Sequence, residues 1–509
     1  MNYKLLGRIL GKIMILESVL MLAPLAVSII YNEGTRNILA FVIPVCALAI
    51  LGIMAQIPKP TRKALYQKEG FALTAMVWIV MTLFGAIPFV VNGDIPNYID
   101  ACFEIMSGFT TTGASIIPDI SVISHSSLFW RSFSHWIGGM GILVFVLIFI
   151  PESNDGSSMH LLRAESPGPQ VGKIASKMKV TARILYLIYL CLTALEVVIL
   201  LCGPLINHGA LVADGYASYE GNKFFHALLT AFGSAGTGGF GFIPNSLEYF
   251  TPFAQYVVAI FLLIFGCNFA LYYLILLGKV KDVFKSEEFK TYFITVVCAV
   301  SLVFISLITK LSTVGYSLEE AFRHSLFQVS SIITTTGYTT ANFDIWPEIA
   351  KAVLVILMFT GAMAGSTAGG IKMSRVVIAV KGTYVNVRKL INPRYVSKTK
   401  FEGKSLDEKT KNDVFAFITL YVFIILTVVL LLSFDPSNHD AEHGFFSNFS
   451  ASLACISNIG PGFEAVGPYS SFACYNGFSK IVLTFTMLLG RLEILPVFIL
   501  FTPRSWKKA

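Results

Sequence analysis

The chain has 509 residues, of which 55% are hydrophobic and only 13% are charged. A soluble globular protein carries about a quarter charged residues, so this composition excludes that class and predicts an all-α integral membrane protein with many spans. The formal net charge of +8 comes from basic residues spread over the loops between apolar stretches. Such a distribution argues against nucleic-acid binding and fits a protein embedded in a lipid bilayer.

About ten stretches are apolar over the roughly 20 residues that a spanning helix needs. They lie near residues 9–31, 37–57, 71–92, 127–150, 179–204, 250–278, 291–311, 348–381, 412–433 and 477–502. Four short segments of mixed polarity interrupt the series after the third, fifth, seventh and ninth spans. Each unit therefore reads as helix, pore helix, filter, helix, and four such pseudo-repeats are predicted to surround a central pore.

This order divides the chain into an extra N-terminal pair of spans and four pore repeats. The predicted boundaries are 1–69 for the pair and then 70–177, 178–289, 290–411 and 412–509 for the repeats. Lys and Arg gather in alternate loops, and residues 93–126 and 434–475 contain neither. Because positive charge marks cytoplasmic loops, both termini are predicted to be cytoplasmic and the four short segments to enter from outside.

The four short segments share a pattern when they are aligned on a glycine. The aligned loops are Thr110–Ala114, Gly236–Phe240, Thr334–Tyr338 and Ser457–Pro461, with small residues six and twelve positions before each glycine. Small residues let a helix pack closely in a membrane, and backbone carbonyls of such loops replace an ion's water shell in channels. The predicted K⁺-binding residues are Thr111, Thr112, Gly113, Thr237, Gly238, Gly239, Thr335, Thr336, Gly337, Asn458, Ile459 and Gly460.

The chemistry of these loops favours a monovalent cation. Irregular backbone at membrane depth is tolerated only where it is buried or lines a water-filled cavity. The loops contain no carboxylate, which Mg²⁺ and Ca²⁺ prefer, so K⁺ ions in the pore are the only bound species expected, with no covalent cofactor. The loops differ from one another, which predicts looser selectivity. Acids of the outer loops, Glu104 and Asp119 among them, are expected to concentrate cations at a mouth that lacks bases.

The eighth span is overlong and is interrupted at residues 361–370. Its four glycines and a Ser-Thr pair predict either a break in the helix that acts as a gate or a Gly-x-x-x-Gly packing face. The predicted gate residues are Gly361, Gly365, Ser366, Thr367, Gly369, Gly370 and Arg491. Arg491, near the middle of the last span, is expected to point into the pore and meet this loop; a structural salt bridge to another span is the alternative. Lys372 is expected at the inner surface.

The chain resembles the Trk/Ktr/HKT superfamily of K⁺ transporters over nearly its whole length, most specifically in five stretches. They are His135–Gly141, Leu162–Pro169, Gly266–Ala270, Asn458–Gly462 and Met487–Glu493. The extra N-terminal pair resembles the TrkH branch rather than the shorter KtrB type. The resemblance implies potassium uptake across a bacterial plasma (inner) membrane, an intramembrane gating loop, and a homodimer with one pore in each protomer. It also implies a TrkA-like cytosolic nucleotide-binding ring as regulatory partner.

Other functions remain open from the residues alone. A symporter that couples K⁺ to Na⁺ or H⁺ is the main alternative, although the chain offers few intramembrane carboxylates to carry protons. An enzyme is not expected, since His135, His226 and His324 fall near the outer ends of helices without metal-ligand spacing. A mobile basic linker at 382–411, with loops 151–177 and 279–290, reads as a docking face for a regulatory subunit or as ordinary positive-inside charge.

Overall fold

The computed structural model describes residues 2–58, 67–141, 178–214, 216, 222–310, 315–394, 397–435 and 444–494. Within them the regular structure is helical apart from one short hairpin and an isolated β-bridge between Ile206 and Phe250. The helices are α1 (Tyr3–Leu20), α2 (Leu22–Ile30), α3 (Thr35–Met54), α4 (Gln67–Gly85), α5 (Ile87–Asn92), α6 (Tyr98–Phe109), α7 (His125–Gly139), α8 (Met178–Cys202), α9 (His208–Ala213), α10 (Lys223–Gly236), α11 (Pro252–Phe265), α12 (Phe269–Leu276), α13 (Val280–Lys285), α14 (Glu287–Ile308), α15 (Leu318–Ile333), α16 (Glu348–Thr360), α17 (Met373–Ile391), α18 (Glu408–Leu432), α19 (Phe445–Ser457) and α20 (Gly477–Arg491). The hairpin pairs β1 (Lys400–Phe401) antiparallel with β2 (Lys404–Ser405).

Six stretches of the described chain are long and apolar enough to cross a membrane. They are Tyr3–Ile30, Thr35–Met54, Glu69–Asn92, Ala182–Cys202, Glu287–Ile308 and Glu408–Leu432. These stretches correspond to the first, second, third, fifth, seventh and ninth predicted spans. The outer parts of the fourth and tenth form α7 and α20, and their remaining residues, from 142 and 495 onwards, lie outside the described chain, as does loop 151–177.

The sixth predicted span, 250–278, is not one continuous helix. It breaks between α11 and α12, whose axes differ by 90°. Asn268 starts the second piece, because its side-chain oxygen accepts a hydrogen bond of 2.9 Å from the N–H of Ala270. An asparagine cap lets a helix restart in a new direction.

The eighth predicted span is also divided. Helix α16 ends at Thr360 and α17 begins at Met373, with positive φ angles of 67°, 76° and 72° at Gly361, Gly365 and Gly370. Because Gly361 and Gly365 do not lie on a helix, the prediction of a Gly-x-x-x-Gly packing face is wrong. The expected mobile linker at 382–411 is largely regular structure: α17 continues to Ile391, the hairpin follows, and α18 begins at Glu408.

The four pore helices, α6, α10, α15 and α19, are arranged in a closed cycle. Each packs against the helix that follows it, namely α7, α11, α16 and α20. Each of those helices also packs against a further pore helix: α7 on α10, α11 on α15, α16 on α19, and α20 on α6. The fourth unit thus returns to the first, and the ends of the pore helices meet around one centre.

Candidate ion-conducting site

All four pore helices end in the same backbone turn. The residue two positions before each glycine adopts the left-handed conformation, with φ of 54° at Thr111, 53° at Thr237, 54° at Thr335 and 56° at Asn458. The residue directly before each glycine donates its N–H to the carbonyl six residues before that glycine. These bonds measure 2.9 Å (Thr112 to Ser107), 2.9 Å (Gly238 to Gly233), 2.8 Å (Thr336 to Ser331) and 2.9 Å (Ile459 to Ala454). This is a Schellman cap, and the predicted small residues carry its carbonyls.

The four filter glycines lie against one another in a ring. Their φ angles are 80°, 76°, 85° and 101° at Gly113, Gly239, Gly337 and Gly460, a region that other residues rarely adopt. A Cβ atom added to any of these glycines would clash with a carbonyl oxygen of another loop. The distances would be 1.9 Å from Gly113 to Gly238, 2.1 Å from Gly239 to Thr336, 1.9 Å from Gly337 to Ile459 and 2.8 Å from Gly460 to Thr112. Each loop therefore contacts the next one along the chain, and the fourth loop contacts the first.

A single outer cavity of about 390 Å³ is lined by all four glycines. The other eight predicted filter residues are buried, and Thr112, Gly238, Thr336 and Ile459 present their carbonyls to the neighbouring loop. Within the described chain, the charged residues that line this cavity are Asp119 and Arg131. The expected mouth without bases is therefore wrong, because an arginine of α7 faces it.

Glu104 is not an acid of an outer loop. It lies fully buried in α6, where its carboxylate accepts a hydrogen bond of 2.7 Å from Nε of Arg131. The same guanidinium donates to Oγ of Ser115 at 3.2 Å and to the carbonyl of Gly241 at 3.3 Å. A buried carboxylate neutralises the arginine, and the pair joins the chain that leaves the first filter to the chain that leaves the second.

Side chains brace the loops from behind, in three different ways. In the first and third loops, two threonine hydroxyls lie 2.8 Å apart, Thr110 with Thr112 and Thr334 with Thr336. In the fourth loop, Nδ2 of Asn458 donates to Oγ1 of Thr112 at 2.9 Å and to the carbonyl of Met487 at 3.0 Å. The asparagine that departs from the threonine pattern therefore links the fourth loop to the first.

The second loop is braced by His135, which was expected near the outer end of a span. The residue lies instead fully buried on α7 beside the filters. Its Nδ1 is 2.8 Å from the carbonyl of Gly108, and its Nε2 accepts from the N–H of Phe240 at 3.3 Å. Sequence reasoning missed this role; the signal was that the histidine opens the stretch His135–Gly141.

The other two histidines lie in the protein interior. His226 stacks on Phe242 with ring centroids 4.8 Å apart, and Nδ1 of His324 lies 2.9 Å from Oγ1 of Thr340. In the part of the chain that the structure covers, no group of three His, Cys, Asp or Glu side chains is arranged to hold a metal ion. All eight cysteines are free thiols.

The glycine loop, residues 361–372, lies directly beneath the third and fourth filters. The N–H of Gly369 donates to Oγ1 of Thr335 at 2.6 Å. A side-chain carbon on Gly369 would lie 2.3 Å from the carbonyl oxygen of Ser457. At the start of the loop, a carbon on Gly361 would lie 2.5 Å from the carbonyl oxygen of Gly369, so the loop closes upon itself.

The break between α11 and α12 receives the lower part of this loop. The N–H of Met363 donates to the carbonyl of Gly266 at 3.1 Å, and the N–H of Phe269 donates to that of Gly365 at 3.0 Å. Within the loop, Oγ of Ser366 donates to the carbonyl of Met363 at 2.7 Å. The two interrupted spans therefore satisfy each other's free backbone groups, which the membrane requires.

Glu288 holds both edges of the glycine loop and was not anticipated. It is buried in the first turn of α14, and one carboxylate oxygen accepts from the N–H of Ala364 at 2.7 Å and from that of Ser374 at 3.0 Å. Lys372, expected at the inner surface, is half-buried and its amine donates to the carbonyl of Ala368.

Arg491 contacts the glycine loop from the opposite side. The helix α20 ends at this residue, so Arg491 lies at a helix terminus. One guanidinium nitrogen donates to the carbonyl of Thr367 at 2.9 Å, and the other donates to the carbonyls of Gly139, at 2.9 Å, and Gly138. The nearby salt bridge joins Glu493 to Arg375. The arginine thus links the loop to the inner end of α7.

Besides Glu288, which holds the glycine loop, the apolar stretches contain two carboxylates with no exposed surface at all. Glu17 of α1 and Glu196 of α8 are both fully buried. Neither lines the outer cavity. A shortage of buried carboxylates is therefore no argument against proton coupling, although these two do not contribute to the pore described above.

The relatives found by comparison with known proteins agree with one another. A family model for TrkH, a cation transport protein, matches residues 37–508. The Trk system potassium uptake proteins TrkH of Vibrio parahaemolyticus and Salmonella typhimurium are 34% and 33% identical, each over 100% of both chains. The crystal structure of the potassium transporter TrkH from Vibrio parahaemolyticus matches with a TM-score of 0.83 at 31% identity, covering 100% of both chains. The chain is therefore a multi-pass membrane protein that belongs to the TrkH family of cation transport proteins.

Proposed function

We propose that this protein mediates potassium uptake by channel-like permeation, with Rb⁺ also accepted and Na⁺ accepted less well. The observation that carries the proposal is the closed ring of four filter loops, in which each glycine abuts the carbonyl of another loop. Carbonyls gathered around one axis can replace the water shell of a dehydrated monovalent cation. The relatives that bear the words potassium uptake in their names support the same substrate.

The choice of K⁺ over a divalent ion follows from the ligands available. The twelve candidate filter residues include no carboxylate, whereas Mg²⁺ and Ca²⁺ are held mainly by carboxylates in proteins. Partial negative charge comes instead from the C-terminal ends of four pore helices. Because the four loops are braced by different side chains, we expect weaker discrimination between K⁺ and Na⁺ than a ring of four identical loops would give.

The glycine loop and Arg491 act as the gate in this proposal. The loop contacts Thr335 from below, and the positively charged guanidinium is fixed to the carbonyl of Thr367. A cation leaving the filter meets both. Opening requires the loop to leave Thr335, and its glycines permit that change of backbone angles.

The control of this gate is assigned to a TrkA-like cytosolic nucleotide-binding ring, with the protein itself a homodimer in a bacterial inner membrane. Both termini are then cytoplasmic. Residues 279–290 and 382–411 carry more basic than acidic side chains and offer a docking face for such a partner. The name of the relatives, Trk system, is consistent with a partner subunit.

The experiment that tests the proposed function is uptake of radioactive Rb⁺ into proteoliposomes, with competing ions outside. K⁺ is expected to compete strongly, Na⁺ weakly and Mg²⁺ not at all. Equal competition by Na⁺, or no uptake above that of empty liposomes, would contradict it.

Coupled transport is the alternative mechanism, and the buried Glu17 and Glu196 are the observation that keeps it open. Reversal potentials measured at several pH values and Na⁺ concentrations separate the two. Permeation as proposed predicts a potential that follows the K⁺ gradient, whereas a symporter would shift it with H⁺ or Na⁺.

A further inference from the structure

We propose that His135 is the residue that positions the second filter loop and thereby contributes to the choice between cations. This inference rests on the proposed function and identifies a selectivity determinant of the same site. His135 is a positioning residue, since its contacts are to backbone groups rather than to the ion path. Three observations support this inference. The second loop lacks bracing side chains, the imidazole of His135 lies against that loop, and the hydrogen bonds of the imidazole select one tautomer.

The second loop lacks the side chains that brace its neighbours. Where the first and third loops have paired threonine hydroxyls 2.8 Å apart, the second loop has Gly236 and Gly238, which carry no hydroxyl. It also lacks the asparagine that ties the fourth loop to the first. Two glycines around a strained left-handed Thr237 give this segment the greatest freedom of the four to change its backbone angles.

The imidazole of His135 fills the space that a side chain at Gly238 would need. A carbon added to Gly238 would lie 2.3 Å from two ring atoms of the histidine. A carbon added to Gly236 would lie 2.3 Å from the backbone carbonyl oxygen of His135. The two glycines of the second loop therefore leave the space that His135 occupies. The other helices that follow a filter, α11, α16 and α20, contain no histidine.

The two hydrogen bonds of the ring select one neutral form. The N–H of Phe240 donates to Nε2 at 3.3 Å, so Nε2 must carry no proton. Nδ1 lies 2.8 Å from the carbonyl of Gly108 and must therefore carry the proton that it donates. The ring thus joins the end of the first pore helix to the chain just after the glycine of the second filter, and its centroid lies 4.2 Å from that of the Phe240 ring.

The test is the Rb⁺/Na⁺ permeability ratio of purified variants in liposomes. His135→Ala is expected to lower the ratio about five-fold, the factor that one net hydrogen bond amounts to. His135→Gln offers an acceptor in the region of Nε2 and is expected to recover part of the ratio, whereas His135→Asn, which retains only a donor near Nδ1, is not. Phe129→Leu, buried on the same helix against Phe133 and Phe225, is the control for lost core volume and is expected to keep the wild-type ratio.

A double-mutant cycle makes the test independent of folding losses. Gly238→Ala alone is expected to disturb the filter, because its methyl group meets the ring. In the His135→Ala background the same change is expected to cost nothing further in the ratio, which is a strongly non-additive result. Additive effects, or a wild-type ratio in a folded His135→Ala protein, would overturn the inference. A wild-type protein that does not prefer Rb⁺ would instead refute the proposed function.

Discussion

The filter loops and the glycine loop are both irregular backbone inside the membrane, but they are stabilised in opposite ways. The filters repeat one turn four times, with the same capping bond in each and a neighbouring loop on either side. Threonines at positions 111, 237 and 335 hold φ angles near 54°, which is unfavourable for a β-branched residue. Such strain persists only where the surrounding contacts are redundant.

The glycine loop is held without such repetition. Its contacts come from unrelated elements, chiefly Thr335, Glu288 and Arg491, together with the backbone at the break between α11 and α12. A hydroxyl, a carboxylate and a guanidinium each hold a different point of the loop, whereas the filters share one repeated turn. The gate proposed above rests on this difference, with filters that keep their geometry above a loop that changes its own.

The largest expected effect comes from breaking the ring. Gly337→Ser introduces a side chain where the carbonyl oxygen of Ile459 lies 1.9 Å away, at a φ of 85°. We expect the Rb⁺/Na⁺ ratio in liposomes to fall about thirty-fold, or about 2 kcal/mol, the usual cost of such strain. Gly34→Ser is the matched control, because Gly34 has a φ of 91° and nothing within 4 Å. An unchanged ratio in folded Gly337→Ser would contradict the filter assignment.

The next effect concerns the charge below the filter. Arg491→Gln removes a cation that is held against the carbonyls of Thr367 and Gly139. Basal Rb⁺ flux without any regulatory partner is expected to rise about tenfold, the factor that corresponds to the repulsion of two unit charges about 3 Å apart in water. Arg36→Gln, on the exposed outer end of α3, should leave the flux unchanged. A fall in flux for Arg491→Gln would argue that the arginine is not a barrier.

A smaller effect is expected at the contact between the two regions. Thr335→Val removes the hydroxyl that accepts the N–H of Gly369 but keeps the branched shape. Basal flux should rise about five-fold, since one net hydrogen bond that holds the loop closed is lost. Thr427→Val, on α18 and exposed, is the control, because its hydroxyl donates to the carbonyl of Phe423 within the same helix. Altered ion ratios with unaltered flux would mean that the bond to Gly369 serves the filter rather than the gate.

The smallest effect is on stability at the outer surface. Burial raises the pKa of Asp344 to about 6, with a further rise from Glu464 that the N–H of Glu464 and Lys351 oppose. Because the folded state then binds more protons than the unfolded state between about pH 4 and 6, stability should fall as pH rises through this range. Asp344→Asn should flatten that dependence and raise the melting temperature at pH 8 by about 2 °C. A parallel pH profile for variant and wild type would show that the burial of Asp344 is not the cause.

Much of this arrangement could be predicted from spacing along the chain. Alignment on the glycines located the four turns, because a left-handed residue and a positive-φ glycine recur at fixed separation from a helix. The glycines of the eighth span indicated a break as one of two interpretations, and hydropathy located six of the long helices. These features are local, so the sequence around them carries the information.

Contacts between residues that lie far apart in the sequence could not be predicted. The pairing of Glu104 with Arg131 joins residues 27 apart, and that of Glu288 with Ala364 joins residues 76 apart. The break at Gly266–Asn268 lies inside a stretch that was predicted as one span, although its excess length and its Gly-Cys-Asn sequence were the available signs of a bend. His135 was misplaced because the predicted span located the helix without the loops that surround it.

Anomalous X-ray scattering from crystals grown in RbCl tests the ring of filter loops most directly, since it locates the ion rather than its flux. A filter at this ring predicts Rb⁺ density on the axis enclosed by Gly113, Gly239, Gly337 and Gly460 and the carbonyls just before them. Rb⁺ density elsewhere in the protein, with none inside that ring in a preparation that transports Rb⁺, would contradict it.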